Sequence, residues 1–190
     1  MADPSRSASP GYERLFFALW PGGEERQKIV RATRSLVKSS GGKPVPAENL
    51  HVTLVFLGSL ETSRVEAIRE AAARANGGAF DLELDRVGHW PRPRILWLAP
   101  TIIPAALTQL VDSLWLALKA CDIGREQRPF KPHMTLARKV GSPRRLDNTR
   151  AVPWQVRDFM LVKSVTTPRN ATYRVIDSWR LGQATMTTAS

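Results

Sequence analysis

Apolar and polar positions alternate with two different periods along this chain, and the changes of period mark its elements. Arg14 to Trp20 is a short apolar run rich in aromatics, closed by Pro21-Gly22-Gly23, which predicts a buried strand. From Glu24 to Lys38 the spacing becomes helical, with Ile29, Val30, Thr33, Leu36 and Val37 on one face. Gly41-Gly42 ends that helix. Leu50 to Leu57 predicts a second strand, closed by Gly58. Ser63 followed by Glu66 is a capping-box pattern, opening a helix that runs to Ala75 and stops at Asn76-Gly77-Gly78. Phe80 to Val87 alternates in part and reads as a strand. Gly88 to Pro93 reads as a loop, because two prolines oppose regular pairing. Ile95 to Leu98 returns as a strand. After Pro104 a helix carries Leu107, Leu110, Val111, Leu114 and Leu118 on one stripe. His133 to Arg138 is a further strand. Val156 to Val165 and Tyr173 to Leu181 predict a closing pair, joined by Thr166-Thr167-Pro168-Arg169-Asn170.

The predicted order is β α β α β β α β β β. Several strands are linked too closely for a crossover helix, which favours antiparallel pairing and an α+β architecture over a doubly wound parallel sheet. No Gly-x-Gly-x-x-Gly follows a strand, and no Gly-Lys-Ser/Thr phosphate loop occurs, so a glycine-rich nucleotide cradle is unsupported.

Composition narrows the class. With 190 residues and 43% apolar positions the chain can bury a real core, which excludes intrinsic disorder. No apolar run approaches the ~20 residues of a membrane span. The single Cys121 excludes a disulfide framework and a multi-cysteine zinc site. No apolar signal segment follows the polar N-terminus, so a cytoplasmic protein is expected. Residues 1–11 read as a disordered lead-in, 12–182 as a single folded domain and 183–190 as a flexible tail. Lys and Arg number 28 against 17 Asp and Glu, and the net charge of +11 points to a polyanionic partner.

The candidate chemistry lies in the histidines, of which there are three. Two share their neighbours: His51-Val52-Thr53-Leu54 and His133-Met134-Thr135-Leu136 both read His-x-Thr-Leu on a predicted strand. With 13 threonines and 20 leucines in the chain, one histidine meets that pattern by chance about 0.7% of the time. Singly, each is more often a histidine satisfied by a backbone carbonyl; the duplication shifts the balance toward a site. The period-2 rule puts His51, Thr53, Val55 and Leu57 on one face and Leu50, Val52, Leu54 and Phe56 on the other. It likewise groups His133, Thr135 and Ala137 against Met134 and Leu136. Each strand then offers an imidazole and a hydroxyl about 7 Å apart, a spacing that flanks a small anion. Two such strands imply two similar halves facing each other across a cleft. Imidazoles titrate near neutrality, so the set suits paired general acid–base chemistry without a metal.

The paired motif resembles the signature of the 2H phosphoesterase superfamily, and more closely its RNA 2′,3′-cyclic phosphodiesterase branch, the 2′-5′ RNA ligase family. Arg14 to Leu19, His51 to Gly58, Trp97 and Pro132 to Arg138 add to the likeness, which covers residues 14–181. The resemblance implies a bilobal, pseudo-symmetric α+β fold: two antiparallel sheets with outer helices around a central cleft. It implies that His51 and His133 are catalytic, that Thr53 and Thr135 bind phosphate, and that Arg138 touches the phosphate. Strict alternation sets Arg138 opposite His133, so it reaches the cleft only if the strand ends or bulges near Ala137. Many relatives carry a glycine before the closing tyrosine, where this chain has Asn170-Ala171-Thr172-Tyr173.

Eight cations lie between residues 125 and 150 against Glu126 and Asp147, and Arg86, Arg92 and Arg94 lie beside His89 and Trp90. The functional reading is a phosphate-tracking rim, with Trp90 or Phe130 stacking a base and Lys131 adding charge; the bland one is a solvated basic face. His89 has no matching threonine and is read as non-catalytic. The expected activity is hydrolysis of RNA 2′,3′-cyclic phosphate ends, tRNA fragments among them, to 2′-phosphates, with reversal giving 2′-5′ ligation. No cofactor, metal or membrane is expected, and the protein is expected to act as a monomer. The rivals are a phosphodiesterase for a small cyclic nucleotide or ADP-ribose cyclic phosphate, and an RNA-binding module without chemistry.

Overall fold

The computed structural model describes residues 11–141, 146, 149–166 and 171–182. Ten strands and three α-helices are assigned among these residues. The strands are β1 (Tyr12–Leu19), β2 (Lys43–Pro44), β3 (Val52–Glu61), β4 (Phe80–Leu84) and β5 (Arg86–Trp90), then β6 (Ile95–Ala99), β7 (Met134–Arg138), β8 (Val152–Val156), β9 (Asp158–Thr166) and β10 (Ala171–Arg180). The helices are α1 (Gly23–Ser39), α2 (Val65–Ala73) and α3 (Ala105–Leu118).

The main sheet runs β10-β9-β1-β3-β7-β6-β5, with β2 also on β7. Its middle is thin, because β3 and β7 share only the pair Val52↔Met134. The fold is therefore two four-stranded antiparallel sheets joined at one bridge, the arrangement that the paired motif implied. A small sheet of β4 and β8 lies outside it.

Helices cover one face. α3 lies against β3, α2 against α3 and β10, and α1 against β7 and β8. The apolar stripe of α3 is buried as its spacing predicts, with Trp115 added. In β1, period-2 alternation sends Leu15, Phe17 and Leu19 into this core, while Phe16 and Ala18 join Val162 in a small cluster on the other face. Phe17 is fully buried, and truncating such a ring costs about 3–5 kcal/mol.

Several boundaries differ from the sequence reading. Gly58 does not close β3: it takes φ +78° inside the strand, which continues to Glu61. Phe80–Val87 is not one strand. The chain leaves the small sheet at Asp85 and enters the main one as β5, which pairs with β6 through Gly88, His89 and Trp90. The two prolines expected to break that segment follow the strand. Val156–Val165 divides at Arg157 in the same way, and Pro153 is tolerated in β8 because a two-stranded sheet is all edge. The capping box does not form. Ser63 donates to Glu61 Oε2 at 3.3 Å, Glu66 pairs with Arg69, and a 3₁₀ turn over Thr62–Arg64 leads into α2. Gly11, placed in the lead-in, has its carbonyl bonded by the Thr62 backbone N–H and hydroxyl, both at 2.8 Å. The rest of the lead-in, the tail from 183 and the turn residues 167–170 lie outside the described residues. No described helix is long and apolar enough to cross a membrane.

Candidate active site

The bridge between the sheets is where the two motifs meet. Carrying the antiparallel register of Val52↔Met134 one residue each way sets His51 beside Thr135 and Thr53 beside His133. Each imidazole is held alike. His51 Nδ1 lies 2.7 Å from the Asn49 carbonyl, and His133 Nδ1 lies 2.8 Å from that of Lys131, two residues back in both cases. A carbonyl only accepts, so both rings carry the proton on Nδ1 and leave Nε2 as the basic atom.

Both motif strands also bulge at the same place. In the β1–β3 ladder, Phe17 pairs Val55 and Ala18 pairs Thr53, which leaves Leu54 extra. In the β6–β7 ladder, Leu96 pairs Ala137 and Trp97 pairs Thr135, which leaves Leu136 extra. An extra residue reverses the side-chain alternation beyond it. The bulge at Leu136 brings Arg138 to the face of His133 and Thr135, the condition set for its expected phosphate contact. The bulge at Leu54 corrects the face assignment in β3: Val55 and Leu57 turn into the core, and Phe56 lines the cleft with Thr53. Phe56 and Arg138 thus hold equivalent places, each five residues after its histidine.

The surroundings of the two histidines differ. His51 stacks on Trp20 at 5.1 Å and 5°, and meets Phe16 at 5.0 Å and Tyr173 edge-on at 5.1 Å. His133 meets Trp90 edge-on at 4.6 Å. Burial pushes the His51 pKa down to about 4, against the raising effect of the Asn49 carbonyl; the charges of Arg138 and His133 lower it further. Burial lowers His133 too, again opposed by its carbonyl bond and assisted by Arg138. Arg138 therefore acts electrostatically on both rings.

A cavity of about 530 Å³ opens beside this pair. Thr53, Phe56, Trp90, Phe130, Lys131 and His133 line it together with Arg125 and Arg128, while His51 and Arg138 lie outside its lining. Trp90, Phe130 and Lys131, the three candidate contacts, are thus brought to one concavity. Trp97 lies flat over Gly88, where any Cβ would overlap its ring, and Arg86 sits over Trp97 at 5.5 Å. His89 points the other way: it pairs with core-facing Leu96, and its Nε2 is buried without a partner.

The expected basic rim is narrower than its sequence span. Arg125 pairs with Asp112 at 2.7 Å, and Arg94 is used structurally, bonding the carbonyls of Lys139 and Val140. Arg150 lies elsewhere, with Lys28 and Arg31, because β8 turns away to join β4. Arg144 and Arg145 lie outside the described residues. Sequence reading did not single out Phe16, Trp20, Tyr173 or Phe56 for the site. Alternation along β1 places Phe16 and Trp20 opposite Leu15, Phe17 and Leu19, so that signal was available. Phe56 required the bulge.

Comparison with known proteins gives the family and the fold. The model of the 2′-5′ RNA ligase superfamily matches residues 22–166. The RNA 2′,3′-cyclic phosphodiesterase of Escherichia coli is 36% identical over 126 residues, 66% of this chain and 72% of that protein. Proteins of the same name from Archaeoglobus fulgidus and Thermus thermophilus are 32% and 33% identical, over 85% and 88% of this chain and 96% and 90% of theirs. The crystal structure of E. coli LigT complexed with 3′-AMP superposes with a TM-score of 0.82 at 31% identity, covering 91% of this chain and all of that one.

Proposed function

Because this chain belongs to the 2′-5′ RNA ligase superfamily, we propose that it hydrolyses the 2′,3′-cyclic phosphate at the 3′ end of an RNA to a 2′-phosphomonoester. The observation that carries this reading is the pair of histidines immediately before the two bridged strands, each with Nδ1 tied to its own chain and Nε2 left for proton transfer. In the proposed step, one neutral imidazole takes a proton from water as its oxygen attacks phosphorus. The bond from phosphorus to the 3′ oxygen breaks, and the other imidazole, protonated, gives its proton to that oxygen. Thr53, Thr135 and the Arg138 guanidinium hold the non-bridging oxygens as charge develops on them. The phosphate's negative charge opposes the lowering effect of Arg138, so substrate binding itself favours the protonated acid.

With the terminal 5′-hydroxyl of a second strand in place of water as the nucleophile, the same step, again with the 3′ oxygen leaving, joins two ends through a 2′-5′ linkage. Trp90, Phe130 and Lys131 are read as contacts to the terminal nucleotide, supported by their shared cavity. One chain supplies both motifs, which supports a working monomer. tRNA fragments with such ends fall within the substrate class, and the single cysteine supports a cytoplasmic setting.

The test is an oligonucleotide ending in a 2′,3′-cyclic phosphate, incubated with the protein in EDTA, with the position of the product phosphate read out. A 2′-phosphate from wild type and none from His133→Ala is expected. No turnover by wild type, or equal turnover by the variant, refutes the assignment. Faster turnover of a cyclic mononucleotide than of the oligonucleotide would favour the small-substrate rival.

A further inference from the structure

The charge that the active-site rim does not account for lies on α1. From Arg26 to Ala47 the chain has six cations and no carboxylate. Ile29 and Thr33 of α1 are buried, while Lys28, Arg31, Arg34 and Lys38 are all exposed. Their spacing of three, three and four residues puts them on one helix face, opposite the buried one. A merely solvated helix face mixes its signs, and this one is uniform beyond the first turn. Among the described residues no carboxylate pairs with any of these four, and Arg31 is steadied by bonds to the Gln27 carbonyl and side chain.

The face is flanked by a concavity on each side and has a direction. Lys28 and Arg31 share a cavity of about 380 Å³ with Arg150 and no acidic residue. Arg34 and Lys38 edge a second, of about 420 Å³, on the other flank of the helix, where Val30, Thr33 and Val37 line it with Pro44 and Leu136. Leu136 is the bulged residue of β7. Pro44 pairs with Ala137, and Lys43 pairs with Arg138. The stripe thus runs along α1 and ends against the strand that carries Arg138. Lys28 to Lys38 spans about 15 Å of helix.

We infer that this face of α1 is a second RNA-binding surface, which holds phosphates upstream of the terminus while the 3′ end sits at the histidine pair. The inference rests on the RNA reading above, since a cyclic mononucleotide reaches the site and not the stripe. The length of the stripe accommodates up to about four phosphates at stacked spacing, and the interaction is electrostatic and sequence-independent.

The test compares two charge-reversal pairs, Lys28→Glu with Arg31→Glu and Arg34→Glu with Lys38→Glu, against an exposed control pair, Arg74→Glu with Lys119→Glu, of equal charge change. The probe is a 20-nucleotide single-stranded RNA with an unreactive 3′ end, whose Kd is read as a function of salt. Each stripe pair should weaken binding at least tenfold at low salt. Each should also reduce the slope of log K against log salt by about 1.4, two contacts at 0.7 each. The control should change Kd less than threefold, and hydrolysis of a 2′,3′-cyclic mononucleotide should stay within twofold in all variants. An unchanged Kd and slope in the stripe pairs, or a control that weakens binding equally, overturns the inference. Wild type inert on cyclic phosphates would instead strike at the proposed reaction, because the binding measurement needs no turnover.

Discussion

The two arms of the candidate active site have the same parts in different surroundings. Each presents His-x-Thr-Leu, each anchors Nδ1 on the carbonyl two residues back, and each bulges at the leucine. The first arm then surrounds its histidine with Trp20, Phe16 and Tyr173, and places Phe56 at the fifth position. The second arm offers one ring, Trp90, and places Arg138 at the fifth position. The first arm is apolar and the second carries the cation. Two equivalent histidines would have equal proton affinities, whereas the proposed acid–base step needs one proton donor and one acceptor. A symmetric framework supplies the geometry, and the asymmetric neighbours supply the difference in proton affinity.

The comparison breaks most sharply at the histidines. His51→Ala and His133→Ala should each lower kcat on a cyclic phosphate oligonucleotide by about 10³-fold, within the range of general acid–base catalysis. A substrate with sulfur in place of the 3′ oxygen leaves without protonation, and it should rescue one variant only. Rescue of both, or of neither, would mean that the arms do not divide the two proton transfers. The fifth positions come next. Arg138→Ala should lower kcat about 10²-fold, the scale of one lost oxyanion donor, while Phe56→Ala should cost less than tenfold. Equal losses would remove the electrostatic asymmetry.

The rings around His51 give a smaller effect. Opening the stack in Trp20→Ala admits water, so the His51 pKa, followed by NMR, should rise from about 4 toward its usual 6.5. Trp90→Ala should move His133 by less, and a larger shift there would invert the comparison. Stability gives the finest test. The folded His51 pKa lies below the unfolded value, so between pH 6.5 and about 4 the unfolded chain binds a proton that the folded chain does not. Stability should therefore be complete above pH 6.5 and fall as pH falls through that window, by up to about 1.4 kcal/mol per pH unit. Denaturant titrations of His51→Gln should show a shallower fall. An unchanged slope would mean that the aromatic surroundings do not desolvate the ring.

Much of this was legible in the chain. Period-2 and helical spacing located the three helices and most strands, because one-sided burial writes itself into the pattern. β2 and β8 were not legible: two residues and a proline-bearing segment carry no periodic signal, and their partners are distant in sequence. The loop expected at Gly88–Pro93 proved half strand, since the clearance for Trp97 at Gly88 is a tertiary matter. Alternation put Arg138 on the wrong face, and only a ladder that skips Leu136 turns it round.

The sequence alone determined that two His-x-Thr-Leu motifs lie at strands, that their imidazoles and hydroxyls share a face, and that the chain is strongly basic. These follow from residue identity and local period, which a linear pattern records. Tertiary structure decided which side chains follow the motifs into the cleft, which rings desolvate each histidine, and where the positive charge collects. Bulges, ring stacking and the meeting of α1 with β7 are relations between distant segments, and no local period encodes them.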